Sequence, residues 1–88
     1  NKHAFYVLEC ADGSFYAGYT NNVERRTATH NAGKGAKYTK ARLPVTVIHI
    51  EYFDTKQEAL RREYAFKQLT RKKKEQIVRG ANDEVTKK

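Results

Sequence analysis

The chain has 88 residues, a length that predicts one small domain burying only about 60% of its unfolded surface. Apolar residues make up 39%, which is enough for one modest core. Eighteen Lys and Arg against ten Asp and Glu give a net charge of +8. This charge favours a polyanionic partner over a small neutral ligand.

The single cysteine, Cys10, cannot form an internal disulfide, so a reducing, cytoplasmic location is expected. The first residues lack the charged-then-apolar pattern of a signal peptide, and no apolar run approaches the roughly 18 residues of a membrane span. One cysteine and three widely separated histidines supply no ligand pair at a usual zinc spacing. We therefore expect neither a membrane span nor a structural zinc.

Two runs of β-branched and aromatic residues, 5–10 and 14–20, predict a β-hairpin. A two-residue and a three-residue loop would give registers that differ by one residue. We expect a three-residue loop ending in Gly13 at positive φ, because this register gathers the apolar side chains on one face. It places Tyr6 opposite Gly18.

The hairpin then has two different faces. The core face is expected to carry Phe5, Val7, Phe15, Ala17 and Tyr19, with Glu9 at its end. The other is expected to be a working face with Tyr6, Leu8, Cys10, Ser14, Tyr16 and Gly18. Gly18 leaves open backbone through which a ligand could approach. Alternatively, the two tyrosines are ordinary strand aromatics whose rings lie in the core.

A helix is expected to start near Val23, after an asparagine cap, and to end before Gly33. Arg26 and His30 share one stripe of this helix, whereas Arg25 points elsewhere. On one helix face, a guanidinium can bind a phosphate and an imidazole can transfer a proton nearby. The alternative is a solvated helix face.

Residues 33–44 are expected to form a basic loop. Its first ten residues contain four cations, two glycines and one aromatic ring. The cations could follow a nucleic-acid backbone, and the ring could stack on a base or contact a phosphate. A loop whose charges serve only solubility is the alternative.

Residues 45–53 predict a third strand with strict alternation of its side chains. A capping box at 55–58 opens a helix to about Leu69, and Thr70 begins a further helix that Gly80 is expected to stop. The order β-β-α-β-α-α predicts an α+β domain at 1–80, built on a three-stranded, mainly antiparallel sheet. Residues 81–88 are expected to form a polar, flexible tail.

Glu63 lies near the middle of an apolar arc of the second predicted helix, with Ala59, Leu60 and Phe66 around it and Tyr64 at the edge. A buried charge costs several kcal/mol unless it is paired or binds a metal. Glu63 is therefore expected to have a basic partner such as Arg26, or to bind a divalent cation.

These residues together resemble the GIY-YIG endonuclease family, most closely its small single-domain bacterial branch (UPF0213-like). The matching segments are Ala4-Phe5-Tyr6, Tyr16-Ala17-Gly18, Arg26 with His30, the loop from 33 to 42, and Glu63. The resemblance covers about residues 4–78. A late asparagine of many relatives has no secure counterpart in this chain.

The resemblance implies a role for each matched residue. Tyr6 would activate the attacking water with help from His30, Tyr16 would position water or phosphate, Arg26 would hold the scissile phosphate, and Glu63 would ligate one Mg²⁺ or Mn²⁺. The nucleic acid would contact Arg25, Lys34, Lys37, Tyr38, Lys40 and Arg42.

The implied function is a metal-dependent endonuclease acting on DNA, structure-selective or weakly specific, with a role in DNA repair. The alternative is a module of the same fold that binds DNA or RNA without cutting it.

Overall fold

The computed structural model describes the backbone of residues 2–87 and the side chains of residues 2–79. It contains three strands and four helices: β1 His3–Glu9, β2 Phe15–Thr20, α1 Val23–Asn31, α2 Lys37–Lys40, β3 Thr46–Phe53, α3 Lys56–Lys67 and α4 Arg71–Lys87. This arrangement confirms the expected α+β class. It adds one short helix, α2, to the predicted order.

The three strands form one antiparallel sheet in the order β2-β1-β3, so β1 is the central strand. Within the hairpin Tyr6 pairs with Gly18 and Leu8 pairs with Tyr16. Gly13 has a φ of 84° at the end of the turn. The register expected for a three-residue loop is therefore confirmed.

The predicted strict alternation of β3 is wrong at Ile48. Val7 of β1 pairs with His49 while the next residue, Leu8, pairs with Val47, so Ile48 is an extra residue at a β-bulge. The bulge turns Ile48 toward the same cluster as Phe5 and Val7. Alternation in a sequence cannot reveal one inserted residue when every neighbouring side chain is apolar or aromatic.

Both faces of the sheet are covered, so much of the expected working face is buried. On one face, α3 and α4 bury Phe5 and Val7 with Phe66. On the other face Leu8 is fully buried and Tyr6 is 2% exposed. An apolar side chain left open on that face would lose its burial energy, which explains why the segment after α1 folds over it.

Helix α1 begins and ends as the sequence predicts. The side chain of Asn22 accepts from the backbone N–H of Arg25 at 3.0 Å, and Gly33 follows the helix with a φ of 78°. The amide of Asn31 then bonds both the N–H and the C=O of Val45, at 2.8 and 3.1 Å. These bonds join α1 to the start of β3.

The segment 33–44 is not simply a loop, because it contains the helical turn α2 with a fully buried Thr39. The capping box of α3 is present as predicted. Leu60 is 40% exposed, so its placement in the apolar arc of α3 was wrong.

Helix α4 does not stop at Gly80, since its backbone continues to Lys87. One glycine costs a helix only about 1 kcal/mol relative to alanine, which does not by itself end it. The flexibility expected of 81–88 stays a prediction. In the part of the chain that the structure describes, no helix combines the length and apolarity needed to cross a membrane.

Candidate functional site

A tyrosine and a histidine meet in the interior between the sheet and α1. The Oη of Tyr6, on central strand β1, lies 3.1 Å from the Nε2 of His30, in the last turn of α1. Tyr6 is 2% exposed and His30 is 1% exposed. The strand and the helix thus hold two titratable groups in a dry environment, 24 residues apart in the chain.

The hydrogen bonds around His30 fix its tautomer. The hydroxyl of Thr39 donates its one hydrogen to the carbonyl of Ala36 at 3.0 Å, so its oxygen accepts from His30 Nδ1 at 2.8 Å. With the ring proton on Nδ1, the Nε2 of the neutral imidazole is an acceptor. Tyr6 therefore donates its O–H to His30, an arrangement in which the imidazole can take the phenol proton.

Two glycines make room for this pair. A Cβ at Gly18 would lie 2.6 Å from the Tyr6 hydroxyl, and a Cβ at Gly35 would overlap the Nδ1 of His30. The space over Gly18 is therefore filled by the Tyr6 phenol, so the expected opening for a ligand there was wrong. Gly35 keeps the segment before α2 close to the imidazole.

Burial moves the two pKa values apart. The pKa of Tyr6 is raised above its usual value, chiefly by burial and also by Tyr16 and the negative charge of Glu63, while Arg26 lowers it. The pKa of His30 is lowered by burial and then by the positive charge of Arg26. Both groups are neutral at pH 7, so the proton stays on the phenol in the resting protein.

The lowered pKa of His30 predicts that stability falls in mild acid. In the unfolded chain the pKa of a histidine is about 6.5, so His30 binds a proton in mild acid. In the folded protein the pKa of His30 is lower, so the proton binds less readily. The contribution of His30 is therefore present above about pH 6.5 and is lost as the pH falls. Urea unfolding at pH 7.5 and at pH 5.5 measures the difference.

The matched variant for this measurement is His30→Gln, which keeps a polar group but does not titrate in that range. We expect its free energy of unfolding to change less between the two pH values than that of the unaltered protein. An equal change in both proteins would assign the effect to another group.

Tyr16 lies beside the buried pair and extends the site toward the surface. Its ring centroid is 5.3 Å from that of His30 and 6.2 Å from that of Tyr38, whose ring is stacked on it. The guanidinium of Arg42 lies 3.9 Å over the ring of Tyr38 and donates to Asp12 at 3.1 Å. Arg42 thus fixes the aromatic ring and ties α2 to the hairpin turn.

Glu63 has a basic partner, as expected, but this partner is Lys67 and not Arg26. The side chain of Glu63 is 17% exposed, and its Oε2 lies 2.8 Å from the Nζ of Lys67, one turn along α3. Glu63 and Arg26 both act on the pKa of Tyr6, in opposite directions. Tyr6, Tyr16 and His30 therefore form one cluster, and the charges of Arg26 and Glu63 lie near enough to act on the Tyr6 phenol.

The predicted site has one carboxylate, that of Glu63, and this limits the kind of metal ion that the site could hold. Within the described residues, no group of three or more His, Cys, Asp and Glu side chains is placed to hold a metal ion. Mg²⁺ keeps several waters and is often bound by one or two carboxylates plus substrate phosphates. Glu63, partly exposed and paired with Lys67, fits that kind of ion and does not fit a cation that needs a full protein cage.

The predicted nucleic-acid contacts lie at the surface near this site. The exposed cations are Arg25, Lys34, Lys37 and Lys40. Tyr38 is 38% exposed and Arg42 is half-buried. Their contact with nucleic acid stays a prediction.

Sequence reasoning missed the residues that contact the site residues and hold them in place. Thr39 and Gly35 act on His30, and nothing in their spacing identifies a buried imidazole as their neighbour. Lys67 follows Glu63 by four residues, a spacing that is typical of an ion pair on a helix, so it could have been found.

Comparisons with known proteins identify a family and several relatives. A family model described as the GIY-YIG catalytic domain matches residues 2–76. A UPF0213 protein of Bacillus cereus is 60% identical over 78 residues, covering 89% of this chain and 81% of its own length. The UPF0213 protein YazA of Bacillus subtilis is 63% identical, with coverage of 89% and 79%.

Two solution structures are also similar to the chain. The UPF0213 protein BH0048 of Bacillus halodurans is 53% identical with a TM-score of 0.58, and the match covers 86% of this chain and 81% of that one. The protein EF2693 of E. faecalis is 54% identical with a TM-score of 0.63, with coverage of 93% and 88%.

Proposed function

This chain belongs to the GIY-YIG family, and from that membership we propose that it is a metal-dependent endonuclease that hydrolyses DNA phosphodiester bonds. The observation that carries the proposal is the buried hydrogen-bond chain from Tyr6 through His30 to Thr39. Such a chain aligns one acceptor nitrogen with one phenol, which purely structural packing does not require. The net charge of +8 suits a polyanionic substrate.

The hydrogen-bond chain provides a route for the proton of the attacking water. Tyr6 takes that proton on its oxygen as its own proton passes to Nε2 of His30. Thr39 accepts from Nδ1 and keeps the imidazole in the tautomer that can receive the proton. This transfer is uphill in the resting protein, because burial raises the pKa of Tyr6 and lowers that of His30.

The positive charge of Arg26 acts on both partners of this transfer, because it lowers the pKa of Tyr6 and that of His30. Arg26 is exposed, and its guanidinium would hold the scissile phosphate. Glu63 would hold the divalent cation, and when bound that cation supplies charge stabilisation for the phosphoryl oxygens. Tyr16, next to His30, would orient the water or the phosphate.

Arg26 and Arg25 form a matched pair for testing whether Arg26 binds the scissile phosphate. Both are exposed neighbours on α1, but the pKa of Tyr6 responds to the charge of Arg26. We expect Arg26→Ala to lower the cleavage rate on the order of 10²-fold and Arg25→Ala to change it far less. Initial rates on one labelled DNA substrate measure both, and equal losses would contradict the assignment.

The experiment that tests the proposal is cleavage of duplex, flapped and branched DNA by the purified protein. Each substrate is incubated with Mg²⁺ or Mn²⁺ and, in parallel, with EDTA. We expect nicking that requires the cation. We expect the shape of the DNA to matter more than its sequence, because contacts with phosphates carry no direct sequence information.

The second candidate is a module that binds DNA or RNA without cutting it. Two observations favour it: burial holds the proton on Tyr6, and Lys67 already pairs with Glu63. It predicts affinity that falls steeply with salt and no product on any substrate or with either cation. Cation-dependent nicking in the assay would exclude it.

A further inference from the structure

A cavity of about 290 Å³ lies beside the candidate site, between β2, α2 and the facing sides of α3 and α4. Its walls are aromatic, from Phe15, Tyr16, Tyr38 and Phe66, and two lysines, Lys67 and Lys74, stand on its rim. Its volume is near the lower end of the roughly 300–1,000 Å³ of ligand cavities. The cavity is therefore sized for a small planar ligand with a negative charge.

The two lysines are placed by the fold and are not simply part of a basic surface. The Nζ of Lys74 lies 5.6 Å from the ring centroid of Phe66. Lys74 is half-buried, whereas its neighbours Lys72 and Lys73 are exposed. Of these three consecutive lysines, only Lys74 lines the cavity.

The cavity shares residues with the candidate site on two sides. Tyr16 belongs to its wall and packs against His30. Lys67 belongs to its rim and lies 2.8 Å from Glu63. A strand whose scissile phosphate lay between Arg26 and Glu63 would therefore pass the mouth of this cavity.

We propose that the cavity receives one unstacked nucleotide of the strand to be cut, with its base against the aromatic walls and its phosphate on Lys67 and Lys74. The proposal rests on the proposed function and names the class of substrate. Bases within a duplex are held in their stack and cannot reach such walls without being turned out. Aromatic side chains that accept a base, together with cations that follow the backbone, are typical of single-strand binding.

The test is DNA binding in EDTA, where no cleavage occurs. Fluorescence anisotropy gives the affinity of the protein for a labelled single strand and for a blunt duplex of the same length, over a range of salt. We expect the single strand to bind more tightly. Replacing its nucleotides by abasic ones should weaken binding about fivefold or more, since the stacking of a base is lost.

Lys74→Gln and Lys72→Gln are the matched variants, because they remove the same charge from adjacent positions inside and outside the cavity. For the single strand, we expect Lys74→Gln to reduce the slope of log K against log salt by about 0.7, the value for one lost phosphate contact, and Lys72→Gln to leave it unchanged. Lys74→Arg should restore the slope, which shows that charge and not folding is responsible.

Any one of three results would overturn the proposal that the cavity receives a nucleotide. These are equal slopes for the two glutamine variants, no effect of abasic nucleotides, and tighter binding of the duplex. These outcomes are separate from the failure of the proposed function. If the single-strand preference and the Lys74 effect are found but no cation yields nicks, the cavity stands and the nuclease does not. If nicking requires the cation but the two variants bind alike, the nuclease stands and the cavity does not.

Discussion

Glu63→Gln is expected to reduce DNA cleavage on the order of 10³-fold, because the cation that Glu63 would hold contributes several kcal/mol to charge stabilisation in the transition state. The substitution keeps the shape of the side chain and removes its charge. Folding should change little, since the ion pair with Lys67 is partly exposed and such pairs contribute about 0–1 kcal/mol. Initial cleavage rates with Mn²⁺ and thermal unfolding of the same preparations measure the two effects.

Glu75→Gln is the control for this experiment. Glu75 makes the same kind of pair, at 2.9 Å to Arg71 one turn away, but on α4 and partly exposed to solvent. Its substitution changes the net charge equally and should leave the cleavage rate unchanged. A Glu63→Gln protein that cuts at the normal rate would remove this carboxylate from the mechanism.

The hairpin and its register could be predicted because local rules decide them. The turn needs a residue at positive φ. Gly13 adopts this φ without the steric strain that a Cβ would cause there. Once that turn is placed, pairing Tyr6 with Gly18 follows from the two-residue period of a strand. The caps of α1 and α3 were predictable for the same reason, since each bond joins residues three apart.

The covering of the second sheet face could not be predicted in this way. It depends on contacts between distant parts of the chain, such as the bonds from Asn31 to Val45. Leu8 and Cys10 were a partial signal, because two apolar side chains on this face would lose their burial energy if nothing covered them.

The candidate site was predictable where its residues share an element. Helical spacing alone separates Arg26 and His30 from Arg25. The contact of His30 with Tyr6 came only from the family resemblance, since nothing local relates a strand to a helix 24 residues later. Thr39, which fixes the imidazole tautomer, lies in a segment interpreted as a loop and was missed for that reason.

Tyr6→Phe is expected to lower the cleavage rate by about 10²–10⁴-fold, the range for loss of a general acid-base group. The ring stays in the core, so packing is preserved, but His30 Nε2 loses its only donor in the described structure. An unsatisfied buried acceptor costs about 1–3 kcal/mol, and thermal unfolding should show that loss. DNA affinity in EDTA should change little, because the substitution removes no positive charge that binds the DNA backbone.

Tyr19→Phe provides the comparison, since it also removes a phenol that is bonded to a histidine. Tyr19 Oη lies 2.7 Å from His3 Nδ1, in a partly exposed pair that shares no residue with the candidate site. If burial of the Tyr6 pair is what gives it a catalytic role, only Tyr6→Phe slows cleavage. Equal rates in both variants would mean that the Tyr6 phenol serves packing alone, and the water would then need another base.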